Sequence, residues 1–436
     1  MNEYKTQIKD RFPKVYSILQ HINGRRLYYS KEYIQTRKRL RSNRQINKLP
    51  RIAFIVVTPE TWNSFVSVYK EAVYRKLQIL VLAVPLNEKR VEKKDRRDNC
   101  KSYVYLKESG VNVVNAYSSD NKEWFDLESW QPDYVFYTRT YDTEYPVRYR
   151  SKNVSQYAEI CVIPYGYSIG KGIVFDIAYG KSFFSRVSIT FATNMSSAKL
   201  IKDKIKQMGL SKYNIVLDIG YPRFDLYADR NIDNKTNKID TIAWLPRFVF
   251  QKKRINYPSH FLDFFEQFLE FAKKHSTIQF IIRPHPLMFP SMIKNGIKTK
   301  EEVETILQRV NNSDNICFDF KPDYTDTLLK ADLLIADVTS LIAEFLATGK
   351  PVILCDIPDM FLDGEIKLAD LSYPGLTWSQ VEDTVEALIG GKDSLAKKRE
   401  EYRKDIFADR NNTIGARIVD YIIHDYCQYN GNWHEC

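Results

Sequence analysis

The chain has 436 residues, 65 Lys and Arg against 54 Asp and Glu, a net charge of +11, and 44% hydrophobic residues. That apolar content supports folded cores and excludes wholesale disorder, and the length predicts two or three domains of roughly 150 residues each. The charge is unevenly placed: residues 1–48 hold 13 basic and 3 acidic residues, a net +10, which leaves the other 388 at +1, a distribution that argues against a nucleic-acid-coating protein.

In chain order, residues 1–48 read as a basic helical arm without the apolar stretch of a secretory signal. Residues 52–57 (IAFIVV) and 77–84 (LQILVLAV) are short runs of the kind buried on both faces of a parallel sheet. Between them, 63–76 carries Phe65, Val68, Tyr69 and Val73 at helical spacing, completing a β-α-β unit. Strands are expected at 111–115, 134–137, 159–164 and 189–192. Residues 228–240 (ADRNIDNKTNKID) lack any apolar period and read as a linker. Beyond it come a strand at 242–245, an aromatic-rich helix at 261–274, and strands at 280–282, 316–318, 333–335 and 352–354. The expected fold is α/β: two doubly wound, Rossmann-like domains (49–227 and 241–436) facing a cleft, the last helix packing back on the first domain.

No run approaches about 18 apolar residues, so no transmembrane helix is expected. The 6 cysteines are scattered without a CxxC pair. Cys161, Cys317 and Cys355 lie in apolar runs and are expected to be buried thiols, which fits a reducing cytoplasm. The 6 histidines show no metal-ligand spacing, and no tightly bound metal or cofactor is expected, although Asp326, Asp332 and Asp337 offer carboxylates to Mg²⁺. The 29 tyrosines suggest wet, amphipathic surfaces.

Doubly wound sheets bind ligands beyond the carboxyl ends of their strands, and the unusual residues fall there. Arg283-Pro284-His285-Pro286 follows a strand, and its prolines stiffen the turn. Arg283 suits a phosphate, and His285 suits donation to a phosphoryl oxygen; the plain alternative is a structural turn with a surface histidine. Asp337, Thr339 and Ser340 lie where a strand yields to a helix, a place that favours anions and equally a simple N-cap. Glu344, one turn on, is either a ribose acceptor or a solvated carboxylate. Trp244-Leu245-Pro246-Arg247-Phe248 and Gly220-Tyr221-Pro222-Arg223-Phe224-Asp225 supply two more arginines, each a phosphate ligand or a surface ion pair, and Pro246 is placed with Glu344 and Asp337 at the nucleotide. The segment from Pro164 through Tyr165, Gly166, Tyr167 and Gly170 to Gly172 matches neither a P-loop nor a dinucleotide fingerprint.

These motifs, in this order and over residues 220–420, resemble the CDP-glycerol glycerophosphotransferase family, the teichoic-acid glycerophosphate primases and polymerases, similar in fold to GT-B nucleotide-sugar transferases. The carrying pieces are GYPRFD (220–225), WLPRF (244–248), RPHP (283–286), DYTDTLLKADLLIADVTS (323–340) and NTIGARI (412–418). The resemblance implies a CDP-linked donor in the C-terminal domain and a glycan or lipid-linked acceptor at the N-terminal one. It implies His285, Thr339 and Ser340 at the donor pyrophosphate, acidic positions at Asp326 and Asp337, and attachment to the inner face of the cell membrane. Where the family carries a Trp-His-Gly-like motif this chain has Pro164-Tyr165-Gly166-Tyr167, so Asp142 or Glu60 is expected to replace the missing base.

The expected function is therefore transfer of a polyol phosphate from a CDP-linked donor to an envelope acceptor. The alternative, which Glu344 and the absent histidine favour, is a GT-B glycosyltransferase of surface-polysaccharide synthesis; a third is a non-catalytic scaffold that kept the fold. The expected location is cytoplasmic and peripheral to the membrane, with residues 25–44, where Tyr28, Tyr29, Tyr33 and Ile34 interleave with the charges, docking on anionic lipid.

Overall fold

The computed structural model describes residues 12–28, 40, 49–87, 100–169, 179–211, 214–228, 238–250, 258–356, 368–407 and 413–428. Most of the 25–44 segment, of the linker and of the 170–172 glycines therefore lies outside the described residues. The chain forms two compact units. One comprises the described residues up to Ser168, those of 179–226 and the closing helix; the other runs from Tyr227 to 407.

The first unit is a parallel sheet of β1 (Arg51–Val56), β2 (Gln78–Ala83), β3 (Val113–Asn115), β6 (Tyr134–Tyr137), β7 (Glu159–Val162), β8 (Val187–Ala192) and β9 (Ile215–Asp218), in the order β3-β2-β1-β6-β7-β8-β9. A small antiparallel pair, β4 (Tyr117–Ser118) with β5 (Glu123–Trp124), leaves it after β3. β1 is fully buried from Ile52 to Val56 because helices cover both faces of a parallel sheet. β9, an edge strand half open to solvent, has too little apolar pattern to stand out in the sequence.

The second unit is a parallel sheet of β10 (Thr241–Leu245), β11 (Gln279–Ile282), β12 (Ile316–Phe318), β13 (Leu333–Ala336), β14 (Val352–Leu354) and β15 (Tyr373–Pro374), in the order β12-β11-β10-β13-β14-β15. Strand order reverses between β10 and β13, and helices from the two halves diverge there. Helix Phe261–Lys274 buries Phe261, Phe264, Phe265, Phe268 and Phe271, one face at helical spacing. Trp244 packs on Phe261 and Phe268 with ring centroids 5.4 and 4.8 Å away. Burial of each such ring contributes about 1.5–3 kcal/mol.

Three readings change. Val73 is 50% exposed, and Ala72 turns inward instead, on the shorter helix Val66–Tyr74. Cys317 is exposed, whereas Cys161 and Cys355 are buried. Many tyrosines are core residues rather than surface ones: Tyr137, Tyr145 and Tyr149 are buried, with hydroxyls donating to the carbonyls of Tyr149, Arg139 and Phe125 at 2.7–2.8 Å. No helix among the described residues is long and apolar enough to cross a membrane.

The GYPRFD and NTIGARI segments meet within the first unit as a structural joint. Asp225 accepts the N–H groups of Ile414 (3.0 Å) and Gly415 (2.9 Å), which open helix Ile414–Gln428, and the hydroxyl of Ser67. Gly415 lies so close to helix Val66–Tyr74 that an added Cβ would sit 2.2 Å from Ser67 Oγ and 2.6 Å from its carbonyl carbon. Gly415→Ala is therefore expected to destabilise the protein by about 1–3 kcal/mol, because backbone rather than a flexible side-chain end must move; thermal denaturation measures it, and an unchanged melting temperature would contradict the joint. Gly220, at φ +106°, turns the chain into this joint, and a Cβ added there would sit 3.2 Å from Ile414 Cδ1.

Candidate active site

The chemistry-bearing residues of the second unit gather at the carboxyl edge of its sheet, around the β10/β13 reversal. Arg247 leaves β10, Arg283 and His285 leave β11, Asp319 leaves β12, Asp337 leaves β13 and Asp356 leaves β14. Each sits there because a parallel strand ends on a turn whose side chains project past the sheet.

Asp337 is the organiser. It is fully buried. Its Oδ2 accepts the Arg247 N–H (2.8 Å) and the Ser259 hydroxyl (3.1 Å), and its Oδ1 meets His260 Nδ1 at 2.8 Å and the His260 N–H at 3.4 Å. Asp356 accepts the Val338 N–H at 2.6 Å; burial and then the neighbouring charge of Asp337 push its pKa up to about 6. Burial lowers the His260 pKa, but the hydrogen bond and charge of Asp337 outweigh it, and the net shift is upward. One ligand atom from each of His260, Asp337 and Asp356 lies within 4.8 Å of the others. Four donors already fill both oxygens of Asp337, and a guanidinium adjoins both carboxylates, so no cation is assigned to the cluster. Asp326 is exposed, and Asp332 is occupied elsewhere, accepting the N–H groups of Asp240 and Thr241 and pairing with Lys350 at 3.5 Å.

Arg247 has its Nη1 buried with no hydrogen-bond acceptor among the described residues. Burial lowers its pKa despite the pull of Asp356 and Asp337. A buried guanidinium nitrogen aimed at no protein acceptor is the arrangement an anionic ligand completes.

His285 neighbours it. Its N–H donates to the Pro246 carbonyl (3.0 Å), and the Arg283 N–H donates to Trp244 O (2.8 Å), so the RPHP turn is pinned to the exit of β10. Pro246 thus acts through its carbonyl as a support for the turn. The His285 ring packs on Phe248 at 4.3 Å. Its Nδ1 accepts the Leu287 N–H at 3.1 Å, which places the ring proton on Nε2. The residue keeps an open face to solvent, yet desolvation of the packed ring, and secondarily the charge of Arg247, lower its pKa to about 4. At neutral pH it is an uncharged Nε2–H donor.

Other expectations shift. Arg283 is committed to the protein: its guanidinium pairs with Asp319 at 2.5 Å and donates to Lys321 O at 2.6 Å. It braces the turn instead of facing a phosphate. Ser340 caps helix Leu341–Leu346 without a side-chain hydrogen bond, while Thr339 Oγ1 accepts the Leu341 N–H at 3.4 Å. Both stand beside Asp337, but the helix is only six residues long and its dipole is correspondingly small. Glu344 is fully buried, its oxygens accepting from Tyr227 (3.0 Å) and Tyr324 (2.7 Å); it is neither solvated nor open to a ribose in this arrangement.

In the first unit, Asp142 accepts hydrogen bonds from the Ser151 N–H (2.8 Å), the Ser151 hydroxyl (3.0 Å) and the Ser182 hydroxyl (3.0 Å). It caps a turn, and both its oxygens are taken up by these donors. Glu60 is exposed in the first turn of helix Pro59–Trp62, just past β1, and of the two carboxylates it is the one left to solvent. Tyr165 is exposed over Arg139, 5.3 Å from ring centroid to guanidinium, and Arg139 pairs with Glu144 at 2.5 Å. Tyr167 packs on Tyr221 and Phe224. Arg223 is wholly buried in the turn before the Asp225 joint, not a surface ion pair.

Sequence reasoning missed Asp319, Asp356 and His260. The first two stand one and two residues past a strand's end, and the strand-end rule finds both. His260 carries no sequence signal: it stands just before helix Phe261–Lys274, and its N–H and ring reach the edge only by meeting Asp337.

The sequence profile of the CDP-glycerol:poly(glycerophosphate) glycerophosphotransferase family matches residues 184–423. No curated protein sequence matches the chain. Among solved structures, the wall teichoic acid polymerase TagF is similar at 13% identity, over 96% of this chain and 100% of that one, with a TM-score of 0.52. MnaA of S. aureus, solved with UDP, is similar at 13% identity, over 88% of this chain and 98% of that one (TM-score 0.53). The UDP-GlcNAc 2-epimerase of Neisseria meningitidis, bound to UDP-GlcNAc, is similar at 12% identity, over 87% and 99% (TM-score 0.50). At these identities the likeness is one of fold.

Proposed function

The chain belongs to the CDP-glycerol:poly(glycerophosphate) glycerophosphotransferase family, and from that membership we propose that the carboxyl edge of its second sheet holds the donor pyrophosphate. It is a transferase that moves glycerophosphate from CDP-glycerol. The observation that carries the placement is Arg247 Nη1, buried without an acceptor among the described residues, beside a neutral His285. Arg247 neutralises phosphoryl charge, His285 donates Nε2–H to a phosphoryl oxygen, and the Thr339 and Ser340 hydroxyls supply further donors. The acceptor hydroxyl attacks the β-phosphorus, and CMP leaves. Little covalent chemistry is asked of the protein; positioning and charge stabilisation carry the rate. The acceptor is a glycan or lipid-linked polyol phosphate of teichoic-acid type.

The sugar-nucleotide alternative loses its main residue, since Glu344 is satisfied by two tyrosines. Calorimetry tests the placement. CDP-glycerol should bind the full chain, and Arg247→Ala should weaken it by about 10–100-fold, the range of one charge-assisted phosphate contact. Equal affinity in the variant would contradict it.

The second part of the proposal is peripheral attachment to the cytoplasmic face of the membrane. Phe12, just before helix Pro13–Tyr28, continues the face formed on it by Val15, Ile18, Leu19 and Ile22, and all five are 48–58% exposed, within the segment of net charge +10. An apolar stripe amid basic charge suits the headgroup region of an anionic bilayer. Ile18→Asp with Ile22→Asp is expected to abolish flotation with phosphatidylglycerol vesicles while leaving donor binding intact; retained flotation would count against the helix.

A further inference from the structure

We propose that His260 is the proton donor to the departing nucleotide: with Nδ1–H fixed on Asp337, its Nε2–H hydrogen-bonds to, and protonates, the oxygen that bridges the two phosphorus atoms of the donor. The inference rests on the donor placement above, and it concerns a residue that no motif singles out.

The geometry is that of an oriented imidazole. Asp337 cannot turn, because Arg247 N–H and Ser259 hydroxyl hold its Oδ2 while His260 holds Oδ1 at 2.8 Å. The His260 ring packs on Phe264 at 5.0 Å. Its side chain is 16% exposed, and Nε2 has no hydrogen-bond partner among the described residues. The ring is thus held in one orientation with its second nitrogen left for a ligand, as a carboxylate-oriented general acid requires. The groups that face it are Asp337 from the end of β13, Asp356 from the end of β14 and Asp263 from its own helix, with Arg247 adjoining the first two. Three carboxylates against one guanidinium favour the imidazolium, whereas desolvation, and secondarily Arg247, keeps His285 neutral. Two histidines at one edge are pushed in opposite directions, the pattern that separates an acid from a plain hydrogen-bond donor.

In the step, the acceptor oxygen bonds to the β-phosphorus and the bond from that phosphorus to the bridging oxygen breaks. The electron pair stays on the bridging oxygen, which takes the Nε2 proton and leaves as part of the nucleoside monophosphate. The acceptor's hydroxyl proton passes to solvent, and His260 regains one from solvent after product release, so protons balance over the cycle.

His260→Gln in the full chain tests this with two donors, CDP-glycerol and p-nitrophenyl phosphoglycerol, whose aryl oxide leaves without a proton. The expected result is a loss of about 100-fold in kcat with CDP-glycerol, a change of less than about 5-fold with the aryl donor, and removal of the fall in kcat on the alkaline side. Equal losses with both donors, or an unchanged alkaline limb, would overturn the role. If the wild-type chain turns over neither donor, the family-level reading fails separately. NMR titration of the His260 ring then decides the inference: CMP should raise its pKa further, and a ring indifferent to CMP, or one broadened by micromolar Mn²⁺ as a metal-bound ring would be, would refute it.

Discussion

His285→Ala is expected to lower kcat by about 10²–10³-fold, the typical cost of one hydrogen-bond donor to a charge that develops in the transition state, while the protein stays folded. The ring is partly open to solvent and contributes mainly its contact with Phe248 to the fold. The loss should be nearly constant from pH 6 to 8. With its pKa lowered to about 4, first by desolvation and then by Arg247, His285 is already neutral across that range and donates from Nε2. His285→Asn restores part of the rate if its amide reaches the same oxygen; His285→Lys should not, since a second cation beside Arg247 is unfavourable. The same shift makes stability depend on pH. The unfolded histidine titrates near 6.5 and the folded one near 4, so the unfolded chain binds more protons between those values. This contribution is complete above pH 6.5 and is lost as pH falls toward 4. In His285→Phe that acid sensitivity should diminish. Steady-state kinetics and pH-dependent melting read both effects.

Asp337→Ala should be the most damaging single change in the second unit. It deprives Arg247 N–H, Ser259 hydroxyl and both His260 donors of their acceptor in a wholly buried place. Unsatisfied buried donors and a broken buried pair cost about 3–5 kcal/mol, a fall of about 6–20 °C in melting temperature for a unit of this size. Donor binding should vanish with it, because the exit of β10 and the start of helix Phe261–Lys274 lose their common anchor. Asp356 should respond oppositely. Its pKa is raised by burial and by Asp337, so removing Asp337 lets it ionise at lower pH, visible in the carboxyl carbon shift by NMR. Melting curves and calorimetry check the first two effects; a variant that melts like wild type would refute the anchoring role.

The fold was legible wherever a strand is covered on both faces. β1, β2 and β13 are dominated by Ile, Val, Leu and Ala, and β8 and β10 set Phe191 and Trp244 among such residues, the pattern of strands covered on both faces, and helix Phe261–Lys274 announces its buried face by the spacing of its phenylalanines. β9 and β15, half open or two residues long, leave no such mark. The site was legible where it is local. RPHP and WLPRF are stiff strand-end turns, and the structure pins one to the other through Pro246 O. What stayed hidden depends on long-range partners. Arg283 looks like a phosphate ligand until Asp319, 36 residues away, is seen to hold it. Glu344 looks like a surface carboxylate until Tyr227 and Tyr324 close on it. Asp337 looks like a ligand until four donors are counted around it. The GYPRFD turn likewise resolves into a joint, with Asp225 binding a helix end 190 residues later.

Glycerophosphate transfer at the second unit's edge leaves its signature in the phosphorus balance of the reaction. With CDP-glycerol and a lipid-linked polyol phosphate acceptor, ³¹P NMR should show one CMP formed for each new phosphodiester, and Arg247→Ala should suppress both together. Release of a nucleoside diphosphate instead, or turnover confined to sugar nucleotides, would rule out glycerophosphate transfer.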